Sequence, residues 1–525
     1  MKILLCNIAI RSKPDHFPPV ACTSLFNVLK RSGYEVSFYD INAIRPSFSE
    51  LSEFFKSGKF DIVAISAVVS TGYQVSKNLA NLIKDLFPQT QIILGGNLAA
   101  AYEIILRKSK IDVCVIGEGE KVIMNLVRYY EAYGNFKATD ELLKIKGVVF
   151  LGEDGCVRCS GPEEPLGADE IEQPDYGLLE DFSDIDLYIF DPFSQNDFSH
   201  DSRSYEPKRR NKKGATILTS KGCVNSCSFC HRWVKGYRVI PVNKVIEYIK
   251  LLMNRYNVGF LNIGDECFGE DRIWVDEFIR LIKPLDVLFQ IGGARVSMLD
   301  NDPSILRRLK EVGLTAIYFG IESGSDKILR IMNKNATKAE NLAALISCRD
   351  AEIYSVIQLV IGMPGENDDT IAETIDFIKK ATEQLLHPPL VTVNYLQALP
   401  GTACYKFLKQ KGLVGATVDD EEKYLLGVSN IDASEFRQYV NVSEAHLSKV
   451  KLWKLRIRVL PVIHWLKLHG WKFPIRRSYE QHISYEAIHS LRQYLKKYLK
   501  NNVFLYRIID MSGEWFWKIA LVACK

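Results

Sequence analysis

The sequence predicts an α/β protein: first a doubly wound, Rossmann-like domain, then a partial (β/α)6, TIM-like barrel, and last a helical C-terminal extension. The main observation is an alternation of short β-branched runs with amphipathic stretches, which is typical of parallel sheets covered by helices. Many runs are nearly continuous in apolar residues, as in DIVAISAVV at 61–69, and this favours strands buried on both faces. The length of 525 residues suits roughly two to four domains.

The composition excludes several classes of protein. A hydrophobic fraction of 47% and a charged fraction of 25% argue against a disordered chain, and a net charge of +4 does not suggest a nucleic-acid binder. No long uncharged apolar run is present, so we expect no membrane-spanning helix. The N-terminus does not resemble a secretory signal, and the 12 cysteines then suit a reducing compartment, so we expect a cytoplasmic protein.

The doubly wound domain is assigned to residues 1–145, where five strand-like runs alternate with helical stretches. The runs are Lys2–Ala9, Glu35–Asp40, Asp61–Ser70, Gln91–Gly96 and Asp112–Gly117. The turns LGGN (Leu94–Asn97) and IGEGE (Ile116–Glu120) follow the last two runs. Ligands bind at this edge of such sheets, and glycine lets the backbone approach them closely. The same glycines suit ordinary strand-to-helix turns, so the motifs alone leave both readings open.

Residues 146–213 are predicted to be a hairpin and a linker. The hairpin is GVVFLGEDGCVRCSG at 147–161, and the segment after it is rich in Asp, Pro and Ser and ends in the basic run KRRNKK. We expect this stretch to lie outside the core. Cys156 and Cys159 form a CxxC pair, but no second cysteine or histidine pair lies nearby. We therefore interpret this pair as incidental.

The barrel is assigned to residues 214–415, where strand-like runs recur about every 30–40 residues, as expected for βα units. There are six runs, which would leave the barrel open to a large ligand. They are Ala215–Ser220, Gly259–Gly264, Val287–Gly292, Thr315–Ile321, Ser355–Ile361 and Val391–Leu396.

Residues 416–525 are predicted to be helical and basic. Between positions 449 and 500 there are 13 lysines and arginines against two acidic residues, with Trp and Tyr interleaved. Such a region can contact anionic lipid, a phosphorylated substrate or nucleic acid, or it can be a solvated surface. It makes peripheral membrane contact one hypothesis for this region.

Three cysteines carry the chemistry. Cys223, Cys227 and Cys230 have the spacing C-x3-C-x2-C in KGCVNSCSFCHRW, directly after the first barrel run. Structural zinc sites need four ligands, and His231 is badly placed to be the fourth because it is adjacent to Cys230. Three soft ligands suit an iron–sulfur cluster with one open iron. The spacing therefore favours iron–sulfur, with zinc as the alternative.

This motif, with Phe229 before the last cysteine, resembles the signature of the radical S-adenosylmethionine (SAM) superfamily. The resemblance implies a partial (β/α)6 barrel and a [4Fe-4S] cluster on Cys223, Cys227 and Cys230. It also implies reductive cleavage of SAM to methionine and a 5′-deoxyadenosyl radical. The protein positions the reactants, and the cofactors supply the difficult chemistry.

Further positions match the family at successive strand ends, where barrel enzymes build their sites. The resemblance implies SAM contacts in each of these segments, with Gly264–Glu266 near the amino group, Glu322–Ser323 near the ribose and the segment at Gly362 near the adenine. The candidate residues are Gly264, Asp265, Glu266, Arg295, Glu322, Ser323 and Gly362, together with Phe229 of the cysteine motif. Arg295 could pair with a carboxylate at the barrel mouth.

A doubly wound domain with LGG and IGEGE followed by this barrel resembles the cobalamin (B12)-binding radical SAM enzymes. The resemblance covers about residues 1–415 and implies that a corrin lies on the strand ends of the first domain. The candidate contacts are Ser66, Ser70, Thr71, Gly95, Gly96, Asn97, Gly117, Glu118, Gly119 and Glu120. An Asp-x-His-x-x-Gly segment is absent, so the cobalt would have no protein imidazole, and His16 is interpreted as a loop residue.

The resemblance leaves two reactions open. The first is methylation of an unactivated carbon from methylcobalamin, and the second is a cobalamin-dependent oxidative cyclisation or ring formation. Either implies a small-molecule or lipid-like substrate and an electron donor of the flavodoxin or ferredoxin type. A hypothesis of another class is a zinc-stabilised module that binds nucleic acid through the basic C-terminal region. It predicts zinc without iron and steeply salt-dependent binding, and the motifs at the strand ends argue against it.

Overall fold

The computed structural model describes residues 1–469 except 12, 138–139, 195–196, 301, 303, 386–389, 430–432 and 437–438. These residues form two compact units, each made of several chain segments. The first unit comprises Met1–Asp191, Lys212–Val287 and Leu396–Val440. The second comprises Pro192–Asn211, Leu288–Tyr395 and the described residues 441–469.

The first unit begins with a seven-stranded sheet of order β2-β1-β3-β4-β5-β6-β7. Its strands are β1 (Lys2–Asn7), β2 (Glu35–Asp40), β3 (Ile62–Ser66), β4 (Gln91–Gly95), β5 (Val113–Val115), β6 (Val148–Leu151) and β7 (Val157–Cys159). β1 to β5 are parallel, as predicted, and β6 and β7 are antiparallel additions at one edge. Because the strand order reverses beside β1, a crevice for a ligand is expected at the C-terminal edge of this sheet.

Helices connect these strands. They are α1 (Val20–Arg31), α2 (Ile41–Ile44), α3 (Phe48–Gly58), α4 (Tyr73–Leu86), α5 (Tyr102–Lys108), α6 (Gly119–Tyr133), α7 (Asp140–Leu143), α8 (Tyr176–Phe182) and α9 (Ile185–Tyr188). Short 3-10 turns precede two of them, at Ser70–Gly72 before α4 and Asn97–Ala101 before α5. Each turn lies just beyond a strand end, so the backbone tightens where β3 and β4 leave the sheet.

Two expectations for this region need correction. The run at 61–70 is strand only from Ile62 to Ser66, because the carbonyl oxygen of Ala67 accepts from the N–H of Leu98 over 3.2 Å and a 3-10 turn follows at Ser70–Gly72. The hairpin at 147–161 forms as predicted but is not outside the core. Its strand β6 pairs with β5, and Val148, Val149 and Phe150 are at most 1% exposed.

The first unit also holds the start of the predicted barrel. Its elements are β8 (Lys213–Ile217), β9 (Ser220–Cys223), β10 (Gly236–Val239), α10 (Val242–Tyr256), β11 (Val258–Ile263) and α11 (Arg272–Ile282). β8 and β11 are parallel, whereas β9 and β10 form an antiparallel hairpin with Cys223 opposite Gly236. The prediction of one strand over 215–220 is wrong, since the strand stops after Ile217 and a second begins at Ser220.

The second unit continues the βα alternation. Its main elements are β12 (Leu288–Ala294), α12 (Ile305–Glu311), β13 (Leu314–Glu322), α13 (Asp326–Ile331), α14 (Lys338–Asp350), β14 (Tyr354–Ile361), α15 (Asp368–Gln384) and β15 (Leu390–Tyr395). β12 to β15 pair in parallel in sequence order. All six predicted barrel strands are therefore present, and the predicted fold class is confirmed.

The chain after β15 forms α16 (Ala403–Gln410) and α17 (Val418–Val428) in the first unit, then α18 (Leu447–His469) in the second. Leu425 and Val428 of α17 are buried in the hydrophobic core of the first sheet. In α18, Lys449 pairs with Asp368 of α15, and Trp453 donates its indole N–H to the same carboxylate over 2.8 Å. The helical prediction for 416–525 thus holds for α17 and α18, while residues 470–525 lie outside the described chain. Among the described helices, none is long and apolar enough to cross a membrane.

Candidate functional site

The three predicted cluster cysteines lie on the β9–β10 hairpin of the first unit. Cys223 ends β9, and Cys227 and Cys230 lie on the loop that leads to β10, where the N–H of Cys230 bonds to the carbonyl oxygen of Cys227 over 3.1 Å. Gly222 has φ +92°, and a Cβ on it would lie 2.3 Å from the carbonyl oxygen of Gly236. Glycine is therefore required directly before Cys223 for the two strands to come this close.

Arg232 supplies positive charge beside two of these thiols. Burial alone would lower the pKa of Arg232, but Glu266, Cys230 and Cys223 lie close enough to raise it above its ordinary value. The Nδ2 of Asn225 donates to the Sγ of Cys227 over 3.2 Å. Among the described residues, no group of three or more His, Cys, Asp or Glu side chains is arranged to hold a single metal ion. Three thiols on one loop with a cation beside them suit the soft, anionic ligand set of an iron–sulfur cluster.

A fourth cysteine was not singled out from the sequence as a site residue. Cys267 follows Gly264–Glu266 directly, is fully buried, and has its Sγ 3.5 Å from Oε1 of Glu270. A hydrogen bond with Cys223, together with burial, raises the pKa of the Cys267 thiol. A neutral thiol therefore lies against one candidate cluster ligand. Only its position after the second barrel strand could have indicated this.

The two acids predicted to contact SAM at the end of β11 have different surroundings. Asp265 is 5% exposed and accepts hydrogen bonds from the N–H of Thr219 (2.7 Å) and the hydroxyl of Ser220 (2.6 Å), and burial raises its pKa to about 6. It therefore holds the β8–β9 connection, which explains why the strand breaks after Ile217. Glu266 is about half exposed and pairs with Arg232. Only Glu266 presents its carboxylate outward.

Two neighbours of this region have fixed positions. Gly264 lies under the ring of Phe17, since a Cβ there would be 2.5 Å from Cε2 of that ring. Phe229 is half-buried in the cysteine loop. Neither has a polar side chain, so a ligand could contact only their backbone or the surface of the Phe229 ring.

In the second unit, an ion pair lies at the end of β13. Glu322 accepts a hydrogen bond from Nζ of Lys334 over 3.1 Å, and Arg295 donates to the carbonyl oxygen of Lys334 over 3.2 Å. Glu322, Asn333 and Asn335 all have φ between +51° and +63°, which is uncommon for residues other than glycine. Such strained positions cluster where function requires them. Lys334 was missed because it is separated from Glu322 by 12 positions and follows no motif.

The other predicted residues of the second unit are enclosed. Ser323 is 1% exposed, and its hydroxyl lies 3.3 Å from that of Thr374. Gly362 has φ +86°, and its N–H donates to the carboxyl of Glu366. Glu366 is itself 1% exposed, and burial raises its pKa to about 7. Its carboxyl therefore closes the turn at 362–366.

The C-terminal edge of the first sheet has open space where a corrin is expected. A Cβ on Gly95 or on Gly117 would meet no atom within 4 Å. Gly96 has φ +91°, and a Cβ on it would lie 2.3 Å from the carbonyl oxygen of Ala67. Ser66 and Asn97 are half-buried beside these glycines. This is the kind of cradle that a large planar ligand needs, so these residues fit cobalamin.

Other predicted cobalamin contacts are covered by protein. Ser70 and Thr71 are 2% and 7% exposed, next to α4, whose Tyr73 donates to Glu422 of α17 over 2.6 Å. At Gly119 a Cβ would lie 3.3 Å from the side chain of Leu25. The carboxylate of Glu120 accepts a hydrogen bond from Ser24 over 2.9 Å. These residues serve packing and helix placement in the first domain.

Glu118 is held by the cysteine hairpin. Its carboxylate accepts from both terminal nitrogens of Arg238 (2.6 and 3.0 Å), from the N–H of Leu166 (2.6 Å) and from Nζ of Lys221 (3.1 Å). Burial alone would raise the pKa of Glu118, but the Arg238 hydrogen bonds and the charge of Lys221 lower it to about 2. All its acceptor capacity is therefore used within the protein.

A second contact joins the same elements. The indole N–H of Trp233 donates to the carbonyl oxygen of Gly96 over 3.2 Å. His231 packs edge-on against Trp233, and a Cβ on Gly401 would lie 2.3 Å from its Nδ1. The loops after β4 and β5 thus each contact the hairpin that carries the cysteines.

Two family sequence models match the chain. The model of the B12 binding domain matches residues 7–127, and that of the Radical SAM superfamily matches residues 217–378, which include all three candidate cysteines. Together they cover more than half of the chain.

Curated relatives include enzymes with different reactions. The anaerobic magnesium-protoporphyrin IX monomethyl ester cyclase of Cereibacter sphaeroides is 30% identical over 68% of this chain and 56% of its own length. The same enzyme of Rubrivivax gelatinosus is 29% identical over 61% of its length, so this chain matches less than two thirds of either cyclase. An uncharacterized methyltransferase of Pyrococcus horikoshii is 27% identical over 69% of this chain and 73% of its own.

Solved structures share the fold. The radical SAM methyltransferase TsrM from Kitasatospora setae, with cobalamin and a [4Fe-4S] cluster bound, has a TM-score of 0.59 at 18% identity and covers 79% of this chain and 76% of its own. The cobalamin-dependent SAM radical enzyme OxsB, with aqua-cobalamin and SAM bound, has a TM-score of 0.66 at 16% identity and covers 100% of this chain and 74% of its own.

The family models and the fold agree with the motifs. The two domains indicate cobalamin, a [4Fe-4S] cluster and SAM as the cofactors. The chain therefore belongs to the radical SAM enzymes that carry an N-terminal B12-binding domain.

Proposed function

We propose that this chain binds a [4Fe-4S] cluster through Cys223, Cys227 and Cys230 and cobalamin at the edge of the first sheet, and that it methylates an unactivated carbon. The observation that carries this proposal is the pair of contacts from the loops after β4 and β5 to the cysteine hairpin. Glu118 and Gly96 each bond to this hairpin within one compact unit. Methyl transfer needs the two cofactors to act on one substrate, and this arrangement suits that need.

The roles of the residues follow from their surroundings. Gly95 and Gly117 leave room for the corrin, Gly96 lets its loop pass close to the backbone of Ala67, and Ser66 and Asn97 border the open space. Glu266 offers an outward carboxylate to the amino group of SAM, and Arg295 and Glu322 are candidate contacts in the second unit. When bound, the cluster with SAM would supply a carbon radical from reductive cleavage of SAM, and cobalamin would supply a methyl group carried on cobalt. The residues of the chain bind and orient them and exclude water.

Ring formation is the second candidate. Two relatives at 29–30% identity are named as cyclases, whereas the methyltransferases among the relatives are 27% identical or less. Both reactions would use the same cofactors and the same cysteine loop. They differ in products, since methyl transfer from SAM to cobalt releases S-adenosylhomocysteine and ring formation does not require it.

We propose a small-molecule or lipid-like substrate, in keeping with tryptophan in TsrM and a porphyrin ester in the cyclases. We also propose an electron donor of the flavodoxin or ferredoxin type. Contact with a membrane through the basic C-terminal region is a further hypothesis, which vesicle binding by the full chain would test.

The test begins with protein purified without oxygen. We would measure iron, sulfide, zinc and cobalt per chain after cobalamin is supplied, for the wild type and for a C223A/C227A/C230A variant. We expect about four irons per chain in the wild type, their loss in the variant, and cobalt in both. Zinc in place of iron after anaerobic reconstitution would overturn the radical SAM assignment.

Product analysis then separates the two reactions. Wild-type protein with bound cobalamin is incubated with SAM and dithionite, and S-adenosylhomocysteine and 5′-deoxyadenosine are quantified. Methyl transfer predicts S-adenosylhomocysteine together with methylcobalamin in the visible spectrum. Formation of 5′-deoxyadenosine without either one would favour the cyclase.

A further inference from the structure

One carboxylate joins the B12-binding domain to the cysteine hairpin. Lys221 and Arg238 lie directly opposite each other in the β9–β10 pair, and both bind Glu118, which follows β5. Cys223 lies two residues after Lys221 on the same strand. The loop of Glu118 also contains Gly117, which borders the open space at the sheet edge. The carboxylate thus fixes the base of the hairpin to the loop that would face the corrin.

The ion pairs of Glu118 with Arg238 and Lys221 have the geometry of a positioning contact. The side chain of Glu118 is 8% exposed, and that of Arg238 is 19% exposed. The guanidinium binds the carboxylate through two parallel bonds, which fix direction as well as distance. Arg238 and Glu118 also share Leu166, whose carbonyl oxygen accepts from the guanidinium and whose N–H donates to the carboxylate. A group with this many fixed partners has little freedom to shift.

A second contact with the first domain lies at the other end of the cysteine loop. We call this contact and the Glu118 ion pairs the two anchors of the loop. Trp233 follows Cys230 by three positions and donates to the carbonyl oxygen of Gly96, in the loop after β4. The ring of Trp233 also packs against the core of the first sheet. The cysteine loop is thus tied on both sides, once to each of the loops that would hold cobalamin.

We infer that Glu118, Arg238 and Trp233 are positioning residues that hold the cluster loop in register with the cobalamin edge. The inference rests on the proposed function and assigns Glu118 a role other than contact with cobalamin. Methyl transfer from SAM to cobalt depends on this register, whereas reductive cleavage of SAM needs only the cluster and its own SAM. Loosening the anchors should therefore change the ratio between the two products.

The experiment compares wild-type protein with E118Q and W233F as full chains. Glu180→Gln is the matched control, because Glu180 forms an exposed 2.6 Å pair with Arg255 in the same unit. Hydrogen exchange of peptides from 220–239 is measured first, without added cofactors. We expect exchange at least about tenfold faster in E118Q, since a charge-assisted hydrogen bond is lost, and wild-type exchange in the control.

The second readout uses protein loaded with iron, sulfide and cobalamin, given SAM and dithionite. We expect the ratio of S-adenosylhomocysteine to 5′-deoxyadenosine to fall about tenfold or more in E118Q and W233F. The reason is that small displacements of reacting groups lower the rate of reaction between them steeply. An unchanged ratio and unchanged exchange in both variants would overturn the inference.

Failure of the proposed function is distinguishable from failure of the inference. A wild type without cobalt or S-adenosylhomocysteine overturns methyl transfer, and exchange of 220–239 still decides whether the anchors hold the hairpin. If E118Q fails to fold, W233F carries the test, since it keeps a smaller aromatic ring against the core and removes the N–H donor to Gly96.

Discussion

Lys334 and Glu322 form an ion pair that lies directly over Gly320, where a Cβ would be 2.6 Å from Oε1 of Glu322 and 2.8 Å from Nζ of Lys334. Both side chains are at least 86% buried, and Glu322 has φ +63°. A strained residue at the end of β13 is therefore held in place by a lysine from the loop between α13 and α14. Removing either partner would leave a buried charge without its counterion.

This pair predicts a loss of stability on truncation of the lysine. Lys334→Met should lower the free energy of unfolding by about 3 kcal/mol, because the carboxylate stays buried and unpaired. Lys334→Arg should recover part of the loss. Urea denaturation of the full chain measures both. The control is Lys327→Met, since Lys327 is half exposed and 3.8 Å from Glu444. Equal losses in Lys334→Met and this control would contradict the prediction.

Two adjacent glycines separate folding from cobalamin binding. Gly95→Leu should fold as the wild type does, since a side chain there enters open space. The variant should nevertheless lose bound cobalt, because the leucine side chain then fills the proposed corrin site. Gly96→Ala should be destabilised by at least about 2 kcal/mol, since φ +91° and a backbone oxygen 2.3 Å from the new Cβ disfavour any side chain. Thermal unfolding and cobalt per chain are the measurements. Full cobalt in a folded Gly95→Leu variant would refute the location of the corrin.

Glu366 predicts a dependence of stability on pH. The pKa of its buried carboxyl is raised to about 7 in the folded protein. The stability that the protonated carboxyl contributes is therefore fully present below its unfolded-state pKa of about 4.3. This stability is lost as the pH rises through 7. Glu366→Gln avoids this loss and should gain stability over the wild type between pH 5 and pH 8, by up to roughly 3 kcal/mol. Unfolding midpoints at the two pH values test this, with the exposed Glu373→Gln as the control. A constant gap between variant and wild type would count against it.

Helix α17 predicts a contrast between neighbouring leucines. Leu425 is fully buried in the core of the first sheet, and Leu426 is 38% exposed. Leu425→Ala should cost about 3 kcal/mol through lost burial and a cavity, whereas Leu426→Ala should cost less than about 1 kcal/mol. Denaturant titrations of both variants give the comparison. Equal effects would mean that α17 does not complete this core.

The sequence predicted the elements well and their polar contacts poorly. Apolar runs located all eleven main parallel strands, because a strand buried on both faces consists of consecutive apolar residues that are visible in the sequence. The cysteine loop was also predicted, because the spacing of its three cysteines is itself a local feature of the sequence. Glu118 and Arg238 are 120 positions apart, so no local pattern could reveal that they meet. Asp265 was predicted to face a ligand but turns inward to Thr219 and Ser220, a choice that depends on the neighbouring strand.

The return of α17 to the first sheet has a consequence for synthesis of the protein. The hydroxyl of Tyr73 bonds to a glutamate 349 positions later in the chain, and Leu425 and Val428 fill the same core. On the ribosome, the B12-binding domain therefore emerges early but cannot be completed until the barrel strands have been translated. A chain that ends before α17 would expose apolar residues beside α4 and α5, which chaperones and proteases could bind. Translation as far as α17 is thus needed before the domain that is made first has a complete core.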